Sequence, residues 1–389
     1  MFLWSAFWGC AQTVAPPPAA VGPAGAELRG KGRNLEGSHT VPVTRACTRV
    51  LQPEGRATEE SLAQAVAHLN AGDVVCFAAG RYPPLRVDGV QGTADAPIAF
   101  RAVPGEEATF SSGSLAYGSA VSIFRSDHVQ VYDLHLTHSQ KGIELKSVSH
   151  ARVEGLRIED LGQEAIAVGA LHSQDGSPHF LGPPSHHVDV IGNLLRDTGK
   201  VTARYGEGVY VGTGGFAGDE THDVLIAYNQ MEQIRAEGVD LKAHSYNLIV
   251  RGNLIAHSSH RFHAAITAGV APVQGRDGNY LIEDNHIFDY CSTDQPVAGI
   301  GIGHGNAVVR NNLIWNIPGG SGIQTYTTFG NPEARQVLLE RNTIWNPEGR
   351  SLALDEGDQG TGARFSAEVR LEGNLLSDDP SPPPPPTPR

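Results

Sequence analysis

Residues 205–255 read YGEGVYVGTGGFAGDETHDVLIAYNQMEQIRAEGVDLKAHSYNLIVRGNLI and state one pattern twice. Each half carries Glu-Gly-Val-x-[Val/Leu], a loop, an alternating apolar run that ends in Asn (VLIAYN, LIVRGN), and a second short apolar pair. A side-chain period of two puts Val209, Val211, Val239 and Leu241 on one face and turns Tyr210, Asp240 and Lys242 the other way.

The unit continues in both directions. Its inward pairs run Ile143/Leu145, Ile166/Val168, then past the quoted stretch to Ile266/Ala268, Ile300/Ile302, Ile323/Thr325 and Leu352/Leu354. The second run ends in Asn at 193, 229, 253, 285, 312, 342 and 374, at intervals of 24 to 36 residues. A repeat of this size with variable insertions predicts a solenoid, whose units bury their apolar faces only by stacking. Asn suits the turn because it tolerates a left-handed backbone and its amide can bond to the Asn one rung above. Leu134 and Leu156 take its place in two earlier coils, so the ladder should switch from apolar to amide.

Short alternating strands, a turn Asn and about three strands per coil resemble the right-handed parallel β-helix of the pectate-lyase-like superfamily, from about Gly72 to Ser377. The expected fold is all-β, a right-handed parallel β-helix over 73–377. A cap over 46–72 should precede it. Within Thr58–Leu69 the residues Leu62, Ala65, Val66 and Leu69 fall at helical spacing, Thr58 can cap the start, and Asn70-Ala71-Gly72 can end it. An N-terminal capping α-helix of that size would cover the first core layer.

Length and composition agree. The 389 residues are 40% apolar, with 46 Gly and 25 Pro against 18% charged residues, which fits many tight turns and short strands. The net charge of −13 argues against a nucleic-acid partner. It also means that an anionic polysaccharide would have to be held through a local cation, either a metal or clustered Arg and Lys. No run reaches the roughly 18 apolar residues of a membrane span. Residues 1–10, MFLWSAFWGC, resemble a truncated secretory signal with Cys10 where a lipoprotein carries its lipid; an ordinary signal or a mis-assigned start is the alternative. The expected location is therefore secreted or cell-envelope, as a monomer with a possible lipid anchor. Residues 11–45, rich in Pro, Gly and Ala, read as a flexible linker, and 378–389 as a disordered Pro-rich tail. In an exported chain Cys47 and Cys76 are a candidate disulfide, with two free thiols as the alternative, and Cys291 stands alone.

The outward positions of the first strand, coil by coil, read Glu144, Ala167, Tyr210, Asp240, Thr267, Gly301, Gln324 and Ala353; a parallel column reads Lys146, Gly169, Gly212, Lys242, Gly269, Gly303, Tyr326 and Asp355. Small residues around a few polar ones describe a groove floor or a plain solvated sheet. One step earlier, Glu164, Glu207 and Glu237 take equivalent places in three consecutive coils, so their carboxylates should stack about 4.8 Å apart. Their repulsion could be offset by protonation, by a cation such as Arg204, Arg235 or Lys242, or by Ca²⁺; alternatively each Glu only accepts turn amides.

Glu237 followed five residues later by Lys242, in a coil ending at Asn253, resembles the alginate lyase and chondroitinase B family. The resemblance implies a Ca²⁺ ligand at Glu237, a base at Lys242, and a second catalytic cation at Arg261 or His263. The register of the glutamates adds Glu207 and Glu164 to the candidate metal set, and the outward columns and the cluster around them offer Tyr210, Asp240, Arg204, Gln324 and Tyr326 as substrate contacts. Elimination across a uronic acid needs its carboxylate neutralised and a base for the neighbouring proton, and Lys242 serves only if its pKa falls. Asp240 opposes that fall, so a simple Asp240–Lys242 ion pair is the competing reading. Three functional classes follow: a polysaccharide lyase, a glycoside hydrolase or epimerase using paired carboxylates, and a non-catalytic β-helix that binds glycan or displays a surface. Gly303-His304-Gly305 is similar to the Gly-His-Gly of polygalacturonases. The run from His257 to His263 has a spacing that fixes no tetrahedral metal site, and His257 or His263 could instead face the groove.

Overall fold

In the computed structural model, the structure describes residues 35–53, 59–173, 179–214, 218–260, 264–269, 278–292, 297–303, 305–326, 336–346, 348–356 and 368–377. These residues form three sheets of 12, 10 and 11 strands, and the strands pair in parallel throughout. The chain passes from sheet to sheet, so neighbours within a sheet come from consecutive coils. Val209–Val211, for example, lies between Ile166–Gly169 of the coil before and Val239–Leu241 of the coil after.

The register follows the alternation. Ile143, Ile166, Val209, Val239, Ile266, Ile300, Ile323 and Leu352 succeed one another in the ten-stranded sheet. All but Leu352 are fully buried. At the turn, each Asn from Asn193 to Asn342 donates its side-chain amide to the Oδ1 of the next, at 2.9–3.0 Å, ending on Asn374. Each also donates to a carbonyl of the preceding coil, so the amides are spent inside the turn. Leu134 and Leu156 are buried in the earlier coils, and the Leu156 N–H donates to Asn193 Oδ1 at 2.9 Å, which is where the ladder changes character.

The helix predicted over Thr58–Leu69 is shorter, Glu59–Val66. Leu62 and Val66 enter the core beside the Leu85–Asp88 strand, while Leu69 lies past the turn that follows the helix and packs on the core. Among the described residues it is the one α-helix, so the molecule is all-β with almost no helix. No helix among them is long and apolar enough to cross a membrane.

The composition of 11–45 suggests a free linker, but its last part is docked. From Leu35 the chain crosses the outside of the twelve-stranded sheet. Leu35 packs with Ile191, Leu225 and Ile249, and the Glu36 carbonyl accepts from Arg251. The backbone N–H groups of His39 and Thr40 donate to Asp189, as does the Ser38 hydroxyl at 2.6 Å. Val43 N–H reaches the Tyr132 hydroxyl at 2.9 Å. This strap covers Arg152 and Asp189, both fully buried, with Arg152 also paired to Glu154 at 2.6 Å. Two outward charges drew the strap onto the sheet; composition carries no trace of that, because the strap supplies mostly backbone amides. Cys47 and Cys76 form a disulfide at its end, with Cα atoms 5.7 Å apart. Cys291 is disulfide-bonded too, against its reading as a lone thiol. Cys10 and the tail 378–389 lie outside the described residues.

Candidate functional site

The outward columns lie on the ten-stranded sheet in the expected order: Glu144, Ala167, Tyr210, Asp240, Thr267, Gly301, Gln324 and Ala353 pair in succession. The acidic ladder is in register as well. Ala165 N–H donates to the Glu207 carbonyl and Gly208 N–H to the Glu237 carbonyl, which fixes the three glutamates at successive strand entrances.

Their side chains part company. Glu164 is claimed by Lys141 at 2.9 Å, and Lys141 also holds Glu144 at 3.0 Å. Burial alone would raise the Glu144 carboxyl, but Lys141, Lys146 and the Ser119 hydroxyl at 2.6 Å bring it below the usual range. The oxygens that converge are those of Glu207, Glu237 and Asp240, with one from each within 4.8 Å of the others and all three residues buried. Asp240 thus takes the place in the trio that the sequence suggests for Glu164. Oε2 of Glu207 is buried without a hydrogen-bond partner, and so is the neighbouring Thr267 hydroxyl. Burial, then Glu237 and Asp240, push the Glu207 carboxyl well above its ordinary pKa.

Lys242 ion-pairs with Asp240 at 2.5 Å, and its ammonium stands 5.1 Å from the centre of the Tyr210 ring. Burial would lower its pKa, but Asp240, Tyr210 and Glu237 outweigh that and raise it. In this arrangement Lys242 is a fixed ammonium. The pair nevertheless sits beside Glu207 and Glu237 rather than turned away from them. Tyr210 accepts the Gly214 N–H at 2.7 Å, which ties the Gly-rich insertion to the site.

Sequence reasoning did not single out Lys141, Ser119 or Asp219. Fully buried Asp219 accepts from Thr213 and Thr221, each at 2.6 Å, and from Ala170 N–H, so it pins the start of the insertion onto the sheet. Lys146, present in the outward column, is buried beside Lys141; burial first and that neighbour second lower its pKa. An acid that far inside a Gly-rich loop is the signal that could have found Asp219.

The other expected contacts are scattered. Arg204 stands exposed, its guanidinium 5.5 Å from the Tyr205 ring centre. Gln324 is half-buried four coils beyond Tyr210's. Tyr326 ends its strand, but its side chain, together with Arg261 and His263, lies outside the described residues. His257 belongs to the eleven-stranded sheet, paired with Asp289 at 3.1 Å, and so does not face this groove.

Comparison with solved structures places the architecture. Over 85% of this chain and 95% of the other, it resembles an alginate lyase from Paenibacillus sp. str. FPU-7, with a TM-score of 0.57 and 20% identity. The chain is a parallel β-helix protein. It is similar to the polygalacturonase of Erwinia carotovora ssp. carotovora, with a TM-score of 0.54, 11% identity, and coverage of 87% of this chain and 95% of that one. The Streptococcus pneumoniae surface protein and adhesin PfbA gives 0.53, 12%, 82% and 92%. At these identities the likeness is one of fold. No family model and no curated protein matches the sequence.

The trio passes a chemical test for a hard cation. All its donors are oxygens, they come from two adjacent coils, and one is buried with no protein partner. Ca²⁺ takes such sets. The burial of these carboxylates weighs against their serving directly as a hydrolytic acid and base.

Proposed function

We propose that this β-helix protein acts on a uronic-acid-containing polysaccharide laid along the ten-stranded sheet, by β-elimination at the Glu207–Lys242 site. The observation that carries the reading is the buried, unpartnered Glu207 oxygen within a three-carboxylate cluster against Lys242 and Tyr210. Glu207, Glu237 and Asp240 would hold Ca²⁺, which when bound would neutralise the substrate carboxylate and so acidify the neighbouring C–H. Of the chain's own groups, Lys242 is placed to take the proton or to bind the carboxylate as an ammonium, and Tyr210 to lie against the sugar face. Its lock on Asp240 favours the ammonium role until Asp240 is otherwise engaged. The reading takes the protein as exported, and takes Glu59–Val66 as the lid of the first coil, since Leu62 and Val66 point into that core.

The test is an assay on alginate, pectate and glycosaminoglycans for absorbance of the unsaturated product, with Ca²⁺ and after chelation. Ca²⁺-dependent absorbance is expected. Lys242→Ala should abolish it, and Lys242→Arg, which keeps charge but cannot act as a base, separates the two roles: loss of turnover would assign the base. Turnover retained by Lys242→Arg would assign a charge role and remove the base. Release of reducing ends without absorbance would replace elimination by hydrolysis. A second reading, glycan binding without turnover, is favoured by the Lys242–Asp240 lock, and binding with neither signal would establish it.

A further inference from the structure

A second concentration of ligating groups lies on the outer edge of the twelve-stranded sheet, apart from the ten-stranded face. The register places His128, His150 and His187 in one column. Asp127, His186 and His222 occupy the adjacent one. His128, His150 and His187 all have left-handed backbones, φ 50°, 50° and 54°. His is one of the residues that enter that region readily, so one such histidine would be an ordinary turn residue. Three in consecutive coils project imidazoles side by side: the His128 and His150 rings stack at 4.3 Å, and His187 follows at 4.9 Å from His150.

Ring stacking accounts for the columns, and hydrogen bonds account for Asp127 in part: its Oδ1 accepts the Ser149 hydroxyl at 2.7 Å and the His150 Nδ1–H at 3.0 Å, and lies 3.0 Å from Nδ1 of His128 as well. Nδ1 of His128 is buried and lacks the alignment of a hydrogen bond. At His128, an unprotonated nitrogen facing a carboxylate oxygen would be repelled, and a protonated one should aim its hydrogen at it. A cation shared by Asp127, His128 and His150 resolves both, with the His150 Nδ1 turned from donor to ligand. The spacing suits one: bonds of about 2.0–2.1 Å in a tetrahedron set ligands about 3.3 Å apart. The three donors already lie within 4.8 Å of one another, and the half-buried side chains leave a path from solvent.

We propose that Asp127, His128 and His150 bind a transition-metal dication of the zinc type, with a remaining position left to solvent. Two imidazoles and one carboxylate select Zn²⁺, Ni²⁺ or Cu²⁺ over Ca²⁺, the reverse of the all-oxygen cluster on the other sheet. The ligands come from consecutive coils, so the ion would clamp one coil to the next.

The experiment uses the untagged full chain after chelator treatment, titrated with ZnCl₂ against a chromogenic competitor, with the visible spectrum of added Co²⁺ as a direct reading of coordination. One tight Zn²⁺ per chain is expected, weakened at least tenfold by His150→Gln and by Asp127→Asn. His222→Gln, in the neighbouring stack but away from Asp127, and Glu207→Gln should leave it unchanged. Equal loss in His222→Gln and His150→Gln would mean only a diffuse imidazole surface. Displacement by Ca²⁺, or loss in Glu207→Gln, would move the ion to the carboxylate cluster and overturn the proposal. If a variant does not fold, the Co²⁺ spectrum of the unaltered chain decides: nitrogen-coordinated bands support the site, and a spectrum identical to the aquo ion sinks it.

Discussion

Glu207 carries a titration whose sign can be worked out. Its folded pKa lies above the ordinary carboxyl value, because burial and two neighbouring acids disfavour its charge. The folded state therefore binds more protons than the unfolded one between about pH 4.3 and the raised value, and stability falls as pH rises through that window. Melting temperature of the metal-free protein should drop from pH 5 toward neutrality, and Glu207→Gln should flatten the drop and raise the neutral value. Added Ca²⁺ should flatten it too in the parent protein. Superimposable pH curves for parent and variant would show that this carboxyl is not the group that matters. Glu144 has the opposite sign: its folded pKa is lowered, so its contribution is present above the ordinary value and is lost as pH falls through the folded one. The acidic ladder was legible because equivalent places in a repeat recur in register. Lys141 was not, since strict alternation from Ile143 would turn it inward, yet the first residue of its strand leaves that pattern and reaches Glu144 and Glu164.

At the scale of elements, the amide ladder should show position-dependent energetics. Asn285 is fully buried and its amide is bonded both to Asn312 and to the Val250 carbonyl, so Asn285→Ala strands several groups at once. A loss of about 1–3 kcal/mol is expected in urea unfolding. Asn374, the last rung among the described residues and more exposed, should be the milder case. Equal costs at the two sites would argue that the ladder is ornamental. The strap offers a sharper test: Asp189→Ala removes one of the two carboxylates paired with buried Arg152, together with the acceptor that Ser38, His39 and Thr40 share, and should cost about 3 kcal/mol. Strands, turns and the ladder were readable because each is a local, periodic commitment of the chain. The strap was not, because apart from the Ser38 and Thr40 hydroxyls its bonds are made by backbone groups that every residue possesses.

Taken whole, the molecule stacks units that touch only their neighbours, so its stability should be a sum of coils and interfaces rather than one cooperative block. Partial unfolding from the C-terminal end, detected by hydrogen exchange graded along the coils after Asn253, is the expected behaviour; uniform protection to Ser377 would contradict it. The N-terminal half should resist longer, because the strap and the Cys47–Cys76 bond span it.

The strap also sets an order of events during synthesis. Ladder contacts join residues 24 to 36 apart, so coils can close behind the ribosome as they emerge. The strap's bonds join residues 151 and 215 apart, Ser38 to Asp189 and Glu36 to Arg251. Its bond to Arg251 cannot form until that residue has been made and its coil laid down, although the strap is translated first. The earliest described segment is thus seated only after the coil of Arg251 is in place, and its closure marks, in time, that the middle of the solenoid is complete.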